Sequence, residues 1–167
     1  RFSVKTRKLG STGLDLTELS FGAAPIGNLY RPVERTQAMA TLQAAWDGGI
    51  RYFDTAPFYG QACRNGGSGI FCRTSRVTVS CSVDILYVHD LEPDSFDAEG
   101  YAAHLDSFSR SGIRALEELK RDGHIKAYGL GVNQVQACLD VMDRVRLDCL
   151  LMAGRHSLLD RSASARL

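Results

Sequence analysis

The stretch Ile50-Arg-Tyr-Phe-Asp54-Thr-Ala-Pro-Phe-Tyr59-Gly60 decides the fold of this chain. It opens with a run of strand length and continues into a loop that contains Pro and Gly. An acidic residue stands where the strand ends, and a tyrosine follows five residues later. In barrels of parallel strands the active site lies at this carboxyl edge, so we expect Asp54 and Tyr59 to lie there.

The residues before this stretch predict a strand and a helix. Leu19 to Gly22 is a brief apolar run that leads into small residues. Met39, Leu42 and Trp46 then recur at helical spacing, which predicts core positions on a helix that starts near residue 34 and ends at Gly48. A strand, a helix and the strand 50–54 therefore follow one another.

The residues after this stretch continue the same alternation. Apolar runs and helical spacings predict five further elements in order: a strand at 83–89, a helix at 111–120, a strand at 127–132, a helix capped by Asn133 with Val135, Leu139 and Met142 on one face, and a strand at 149–152. The helical spacing of Met142 predicts a core position for it, as for Met39 and Trp46. Strands that alternate with helices imply crossover connections and a parallel sheet.

The predicted fold is α/β, part of a (β/α)8 barrel preceded by a β-hairpin whose turn contains Gly10 and Gly13. A complete barrel needs about 250 residues, and the pattern accounts for about five of its eight strands, so the barrel is incomplete or the sheet is open. Residues 61–82 show no helical period and form an atypical segment where a helix and a strand are expected. We expect residues 1–167 to form one incomplete barrel domain.

Composition and charge favour a small-molecule partner. The chain has 167 residues, and 20 Lys and Arg balance 19 acidic residues without a run of like charge. The basic stripe that nucleic acid or an anionic membrane requires is therefore missing. No apolar stretch approaches the roughly 20 residues of a membrane span, and the first ten residues do not resemble a signal peptide, so we expect a cytoplasmic protein.

The five cysteines predict free thiols and no metal site. Their odd number and low density are typical of a reduced compartment. Cys63, Cys72 and Cys81 are spaced nine residues apart, with His89 eight residues later. A zinc site there is the less favoured alternative, because no Cys-x-x-Cys pair tightens the spacing.

Several motifs together resemble the aldo-keto reductase family. The residues Phe53 to Gly60 resemble its signature, and residues 7–14 resemble its opening hairpin. The run Asp84-Ile-Leu-Tyr-Val-His89-Asp90 resembles the strand that delivers its catalytic histidine, and Ile125 to Asn133 resembles the strand that ends in a cofactor-binding asparagine. With residues 153–160, these motifs are most similar to the branch that oxidises aldoses such as fucose or galactose, with pyridoxal dehydrogenases nearby.

The resemblance implies a role for each residue. Tyr59 would be the general acid or base for the substrate oxygen, Asp54 would hold the cation that lowers the tyrosine pKa, and His89 would orient the carbonyl. Asn133 would fix the nicotinamide ring of NAD or NADP, and Gly22 with Ala23 would let the cofactor approach the first strand. The implied substrate is a small carbonyl compound or sugar.

Two departures from the family pattern limit this expectation. The chain has no Lys between Lys8 and Lys120, so the family's catalytic lysine has no counterpart. The loops that bind the cofactor's phosphates and adenosine in the family would lie after Leu167. Impaired catalysis is therefore expected, and the alternative is a non-catalytic fragment or partial barrel that acts through association with a second copy or another chain.

Overall fold

The computed structural model describes residues 3–27, 31–56 and 83–167, with the side chain of residue 165 left out. Two antiparallel strands come first: β1 (Thr6–Lys8) and β2 (Asp15–Thr17). The turn between them requires positive φ at Gly10 (50°) and Gly13 (78°), a conformation that glycine adopts without steric cost. The predicted hairpin is confirmed.

The chain groups into two units. The first unit comprises Arg1–Lys8 and Asp15–Cys81, and the second comprises Leu9–Leu14 and Ser82–Leu167. In the first unit, β3 (Ser20–Gly22) pairs in parallel with β4 (Tyr52–Asp54), and α1 (Arg35–Asp47) connects them. The predicted helix and both strands of this βαβ arrangement are confirmed.

Side chains of α1 build a small core in the first unit. Ala38 is fully buried with Ala23 and Ile26, and Leu42 packs against them. Met39 and Trp46 are 47% and 50% exposed, and Met142 in the second unit is 48% exposed, so the predicted core positions of these three residues are wrong. The buried face of α1 is narrower than the stripe of apolar residues in its sequence. Trp46 lies outside the core and stacks on Phe53, with the ring centroids 6.3 Å apart.

The second unit is built on three parallel strands in the order β5 (Ile85–His89), β6 (Ala127–Val132), β7 (Cys149–Met152). The central strand β6 is buried along its whole length because it has a partner on each side. A cluster that includes Leu105, Leu116 and Val141 packs with it. All three strands lie where the sequence predicts them.

Three helices accompany these strands: α2 (Ala98–Ser107), α3 (Ile113–Arg121) and α4 (Val135–Met142). A π-turn at Phe108–Gly112 joins α2 to α3, so helical structure runs from 98 to 121 rather than over 111–120 alone. A π-turn adds a residue to the helical turn and interrupts the 3.6-residue period. The buried residues Leu105, Phe108, Ile113 and Leu116 are accordingly three, five and three residues apart. This irregular spacing explains why the sequence pattern did not predict α2.

The architecture is a partial α/β fold with five parallel strands among the described residues. They lie in two separate sheets, so this part of the chain forms no closed barrel. No helix in the described ranges is long and apolar enough to cross a membrane. The segment 61–82 lies outside the described residues, and the single-domain organisation stays a prediction.

Candidate active site

Asp54, Gly22 and Ala23 lie together at the carboxyl edge of the two-stranded sheet in the first unit. Asp54 is the last residue of β4, half-buried, and pairs in register with Gly22. The next backbone amide, from Ala23, donates to the Asp54 carbonyl oxygen at 2.8 Å. The two predicted cofactor residues and the predicted acid are therefore neighbours.

Gly22 and Ala23 have different surroundings. Gly22 is exposed, and a Cβ there would meet no atom of the described residues within 4 Å, so none of them fills the space beside this backbone. The Ala23 side chain is 1% exposed and belongs to the core with Ile26 and Ala38. Of these two residues, only Gly22 has a backbone that a ligand can approach. Tyr59, the predicted proton donor, lies outside the described residues.

His89 ends strand β5 in the second unit, so it too stands at a carboxyl edge. Its Nδ1 lies 2.9 Å from the Asp90 Oδ2, and both side chains are more than half exposed. An exposed pair of this kind stabilises the fold little, but a carboxylate acceptor keeps the proton on Nδ1. In the neutral ring, Nε2 is then a hydrogen-bond acceptor, and in the charged ring it is a donor.

The space beside His89 is shaped by glycine and by an open cleft. A Cβ at Gly131, its partner on β6, would lie 3.4 Å from the His89 Cδ2, so the ring packs on bare backbone. A cleft of about 280 Å³ opens next to it, lined by His89, Phe96, His104 and Phe108 among others. The His89 side chain is 59% exposed and is therefore accessible from solvent.

Asn133 follows the last residue of β6, next to the edge that carries His89. Its predicted role as a helix cap is wrong: Gln134 holds the N-cap position of α4 and makes no side-chain capping bond. The Asn133 Nδ2 donates instead to the Glu92 Oε1 at 2.9 Å. The backbone amides of Asn133 and Gln134, just before α4, donate to the Glu92 carboxylate, so the acceptor at this helix start is Glu92 and not the Asn133 side chain.

Glu92 is the residue of this edge that the sequence interpretation missed. It is 4% exposed, and its Oε2 accepts from the backbone amides of Asn133 at 2.7 Å and Gln134 at 3.0 Å. Buried carboxylates are rare unless they are hydrogen-bonded, and this one uses both oxygens. The signal available in the sequence was an acid three residues after His89, next to Pro93.

The described residues hold no group of three or more His, Cys, Asp or Glu side chains that could bind a metal ion. The cysteines weighed for zinc, Cys63, Cys72 and Cys81, lie outside those residues. Cys138 is buried and Cys149 half-buried, and both carry free thiols. Burial raises the pKa of the Cys138 thiol to about 11, which makes it a poor nucleophile near neutral pH.

Comparisons with known proteins agree with this architecture. A model of the aldo/keto reductase family matches residues 18–79. Pyridoxal 4-dehydrogenase from Microbacterium luteolum is 34% identical over 217 residues, with 93% of this chain and 63% of that protein covered. L-galactose dehydrogenase from Arabidopsis thaliana is 29% identical, with 85% and 53% covered. A solved structure named as an aldo-keto reductase from Pseudomonas aeruginosa superposes at TM-score 0.67, 25% identity, with 99% and 73% covered.

The chain is shorter than these proteins. It spans 53% to 63% of the length of the two curated relatives. The alignment to the pyridoxal dehydrogenase extends over 217 residues while this chain has 167, so the relative contains residues inside the aligned region that this chain lacks. The motifs, the parallel βαβ units and these likenesses together make the chain similar to proteins of the aldo-keto reductase family.

Proposed function

We propose that this chain is an oxidoreductase of aldo-keto reductase type that uses NAD or NADP and acts on an aldose or a small aldehyde or alcohol. One observation carries the proposal: Asp54 and His89 end parallel strands, and Asn133 directly follows another. Carboxyl ends of parallel strands are where barrel enzymes place their reacting groups. The names of the relatives, a pyridoxal 4-dehydrogenase, a D-threo-aldose 1-dehydrogenase and an L-galactose dehydrogenase, support the substrate class.

The described residues fit a nicotinamide cofactor in two respects. Asn133 is exposed, and its side chain keeps one N–H and its carbonyl oxygen beyond the bond to Glu92. A nicotinamide carboxamide needs one acceptor and one donor of this kind. Among the described residues nothing fills the space beside Gly22, where a ring could lie against the backbone. The cofactor, when bound, donates or accepts the hydride.

The chain's own residues would handle the proton and the substrate. His89, next to its cleft, would orient the substrate oxygen through Nε2, and Tyr59 would give a proton to that oxygen or take one from it. A phenol has a pKa near 10, so it exchanges a proton poorly at neutral pH unless a cation lowers that value. In the family a lysine held by the acid at the position of Asp54 supplies the cation.

The missing lysine predicts impaired catalysis. No Lys stands between Lys8 and Lys120, and an arginine does not replace it because the guanidinium is a wide, planar group that stays protonated. Proton transfer by a positioned group is typically worth about 10² to 10⁴ in rate. We therefore expect turnover of the chain to lie well below that of an ordinary enzyme.

Turnover and cofactor binding test this proposal together. Fluorescence titration with NADH and NADPH is expected to show saturable binding, and NAD- or NADP-linked oxidation of fucose, galactose and pyridoxal is expected to proceed well below about 1 per second. Tyr59→Phe and His89→Ala should abolish the residual turnover, whereas Glu118→Gln, at an exposed helix position, should leave it unchanged. Turnover near 1 per second would contradict the impairment, and absent cofactor binding would contradict the oxidoreductase itself.

The second candidate function is a non-catalytic partial barrel that acts through association. The absence of a Lys between Lys8 and Lys120 favours it, since the family's catalytic lysine then has no counterpart at a matching position. This candidate requires no binding of NADH or NADPH. It does require a complex, so sedimentation analysis should show a mass above that of the single 18.3 kDa chain.

A further inference from the structure

Glu92 joins two segments that each carry a residue of the proposed site. It lies three residues after His89 and is 4% exposed. Its Oε2 accepts the backbone amides of Asn133 and Gln134, at 2.7 Å and 3.0 Å, and its Oε1 accepts the Asn133 Nδ2 at 2.9 Å. One buried carboxylate therefore fixes both the backbone and the side chain of Asn133.

The segment from His89 to Glu92 is itself attached to β6. The Asp90 amide donates to the Gly131 carbonyl oxygen at 3.3 Å, and the Glu92 amide donates to the Asp90 carbonyl oxygen at 2.9 Å. Asp90 adopts a φ of 55°, a left-handed conformation that turns the chain sharply at the strand end. The next two residues, Leu91 and Glu92, are both buried, and the bonds from the amides of Asn133 and Gln134 place the Glu92 carboxylate at the start of α4.

The chemistry of Glu92 decides which end of the Asn133 amide remains available. An ionised carboxylate only accepts hydrogen bonds, so Nδ2 and not Oδ1 must face it. The exposed part of the side chain then presents the carbonyl oxygen together with the second N–H. These two groups match the N–H and the carbonyl oxygen of a primary carboxamide. With the amide turned over, the carbonyl oxygen would face a carboxylate and repel it.

We propose that Glu92 is a positioning residue that orients the Asn133 amide for recognition of a primary carboxamide. The proposal rests on the proposed function, since nicotinamide is the carboxamide that Asn133 would meet. A purely structural role, as a cap for α4, would involve only the two backbone amides. The bond to Nδ2 goes beyond that role, and a substitution can separate the two.

Glu92→Gln is that substitution. The carbonyl of the introduced glutamine can still accept the backbone amides of Asn133 and Gln134, but its NH₂ group is a donor and would face the Asn133 Nδ2. The Asn133 amide is then expected to turn over, so that Oδ1 accepts a hydrogen bond from this NH₂ group. The exposed end of the side chain would then be Nδ2, which only donates. Glu92→Ala removes both kinds of bond. Glu118→Gln, at an exposed position of α3, is the matched control.

The readouts are the side-chain amide resonances of Asn133 in ¹⁵N–¹H NMR spectra, the midpoint of thermal unfolding, and titration with NADH and with free nicotinamide. Glu92→Gln should shift the Asn133 side-chain resonances and weaken NADH binding by about 10-fold or more, because the turned-over Asn133 amide no longer offers its carbonyl oxygen to the carboxamide N–H. The unfolding midpoint should fall much less than in Glu92→Ala. Glu118→Gln should resemble the wild type in all three readouts.

Two results would overturn the inference while leaving the proposed function intact. One is NADH binding in Glu92→Gln equal to that of the wild type. The other is a set of Asn133 side-chain resonances that Glu92→Gln does not change. If neither NADH nor nicotinamide shifts Asn133 in the wild type, the proposed function and the carboxamide assignment both fail.

Discussion

Gly129 occupies the tightest position on the central strand of the second unit. A Cβ there would stand 1.9 Å from the carbonyl oxygen of Cys149, an atom of the neighbouring backbone that cannot rotate away. We expect Gly129→Ala to lower the free energy of unfolding by about 1–3 kcal/mol or more, since β6 and β7 must separate to admit the methyl group. Urea denaturation followed by circular dichroism measures the change.

Gly131→Ala is the control for this experiment, on the same strand two residues away. Its Cβ would meet only side-chain atoms, the nearest being the Cδ2 of His89 at 3.4 Å, and that ring is exposed and can shift. The free energy of unfolding should therefore fall less than in Gly129→Ala. Equal losses in the two variants would mean that the close approach of β6 to β7 is not what requires glycine.

At the scale of single elements, α2 depends on its first residues. The Asp97 side chain accepts the Gly100 backbone amide at 2.7 Å and caps the helix. Asp97→Ala is expected to destabilise the second unit by about 1 kcal/mol. The Gly100 backbone N–H lies in the first turn, has no acceptor within the helix, and would lose the Asp97 carboxylate. Asp94→Ala, in the preceding 3₁₀ turn, makes a control of equal charge change. The difference between the two variants in thermal unfolding measures the cap, and identical midpoints would contradict it.

Helices and strands whose apolar residues follow one uninterrupted pattern could be predicted from the sequence. The five parallel strands and α1 lie where apolar runs and helical spacing place them. Helix α2 could not, because the π-turn after it shifts the apolar face and hides the period. The predicted burial of Met39, Trp46 and Met142 was also wrong, since helical spacing tells which residues share a face but not how much of that face the neighbouring elements cover.

The candidate site could be predicted in part, for a similar reason. Asp54, His89 and Asn133 were found because the end of a strand is visible in the sequence. Glu92 was not, because the partners that satisfy it are about 40 residues away, at Asn133 and Gln134. A short-range pattern does not distinguish a buried acid with distant donors from an exposed one. The capping role assigned to Asn133 failed because of the same long-range carboxylate.

For the whole molecule, stability in alkali should depend on Cys138. Burial first, and the Glu92 charge second, raise the pKa of this thiol from 9.0 to about 11. Above pH 9 the unfolded chain releases this proton while the folded chain keeps it, so stability falls as pH rises through this range. The free energy of unfolding should drop by about 1 kcal/mol more between pH 8 and pH 10 in the wild type than in Cys138→Ala.

Urea denaturation of both proteins at the two pH values makes this measurement. Cys138→Ala is expected to be less stable at pH 8, because it leaves a small void at a fully buried position. The free energy of unfolding that Cys138→Ala loses between pH 8 and pH 10 measures the contribution of every other titrating group. These groups include Tyr101 and Tyr128, whose pKa values burial also raises. Parallel losses in the two proteins would show that the thiol does not contribute.

The bonds of Glu92 also bear on how this chain can change over evolutionary time. A carboxylate that serves two backbone amides and one side-chain amide makes positions 92 and 133 dependent on each other. A mutation that removes the acid first leaves three donors without their acceptor, and one that replaces the asparagine first leaves the acid with fewer donors. Either order passes through a weakened intermediate, so drift at these two positions is expected to be paired and slow, whatever activity the chain retains.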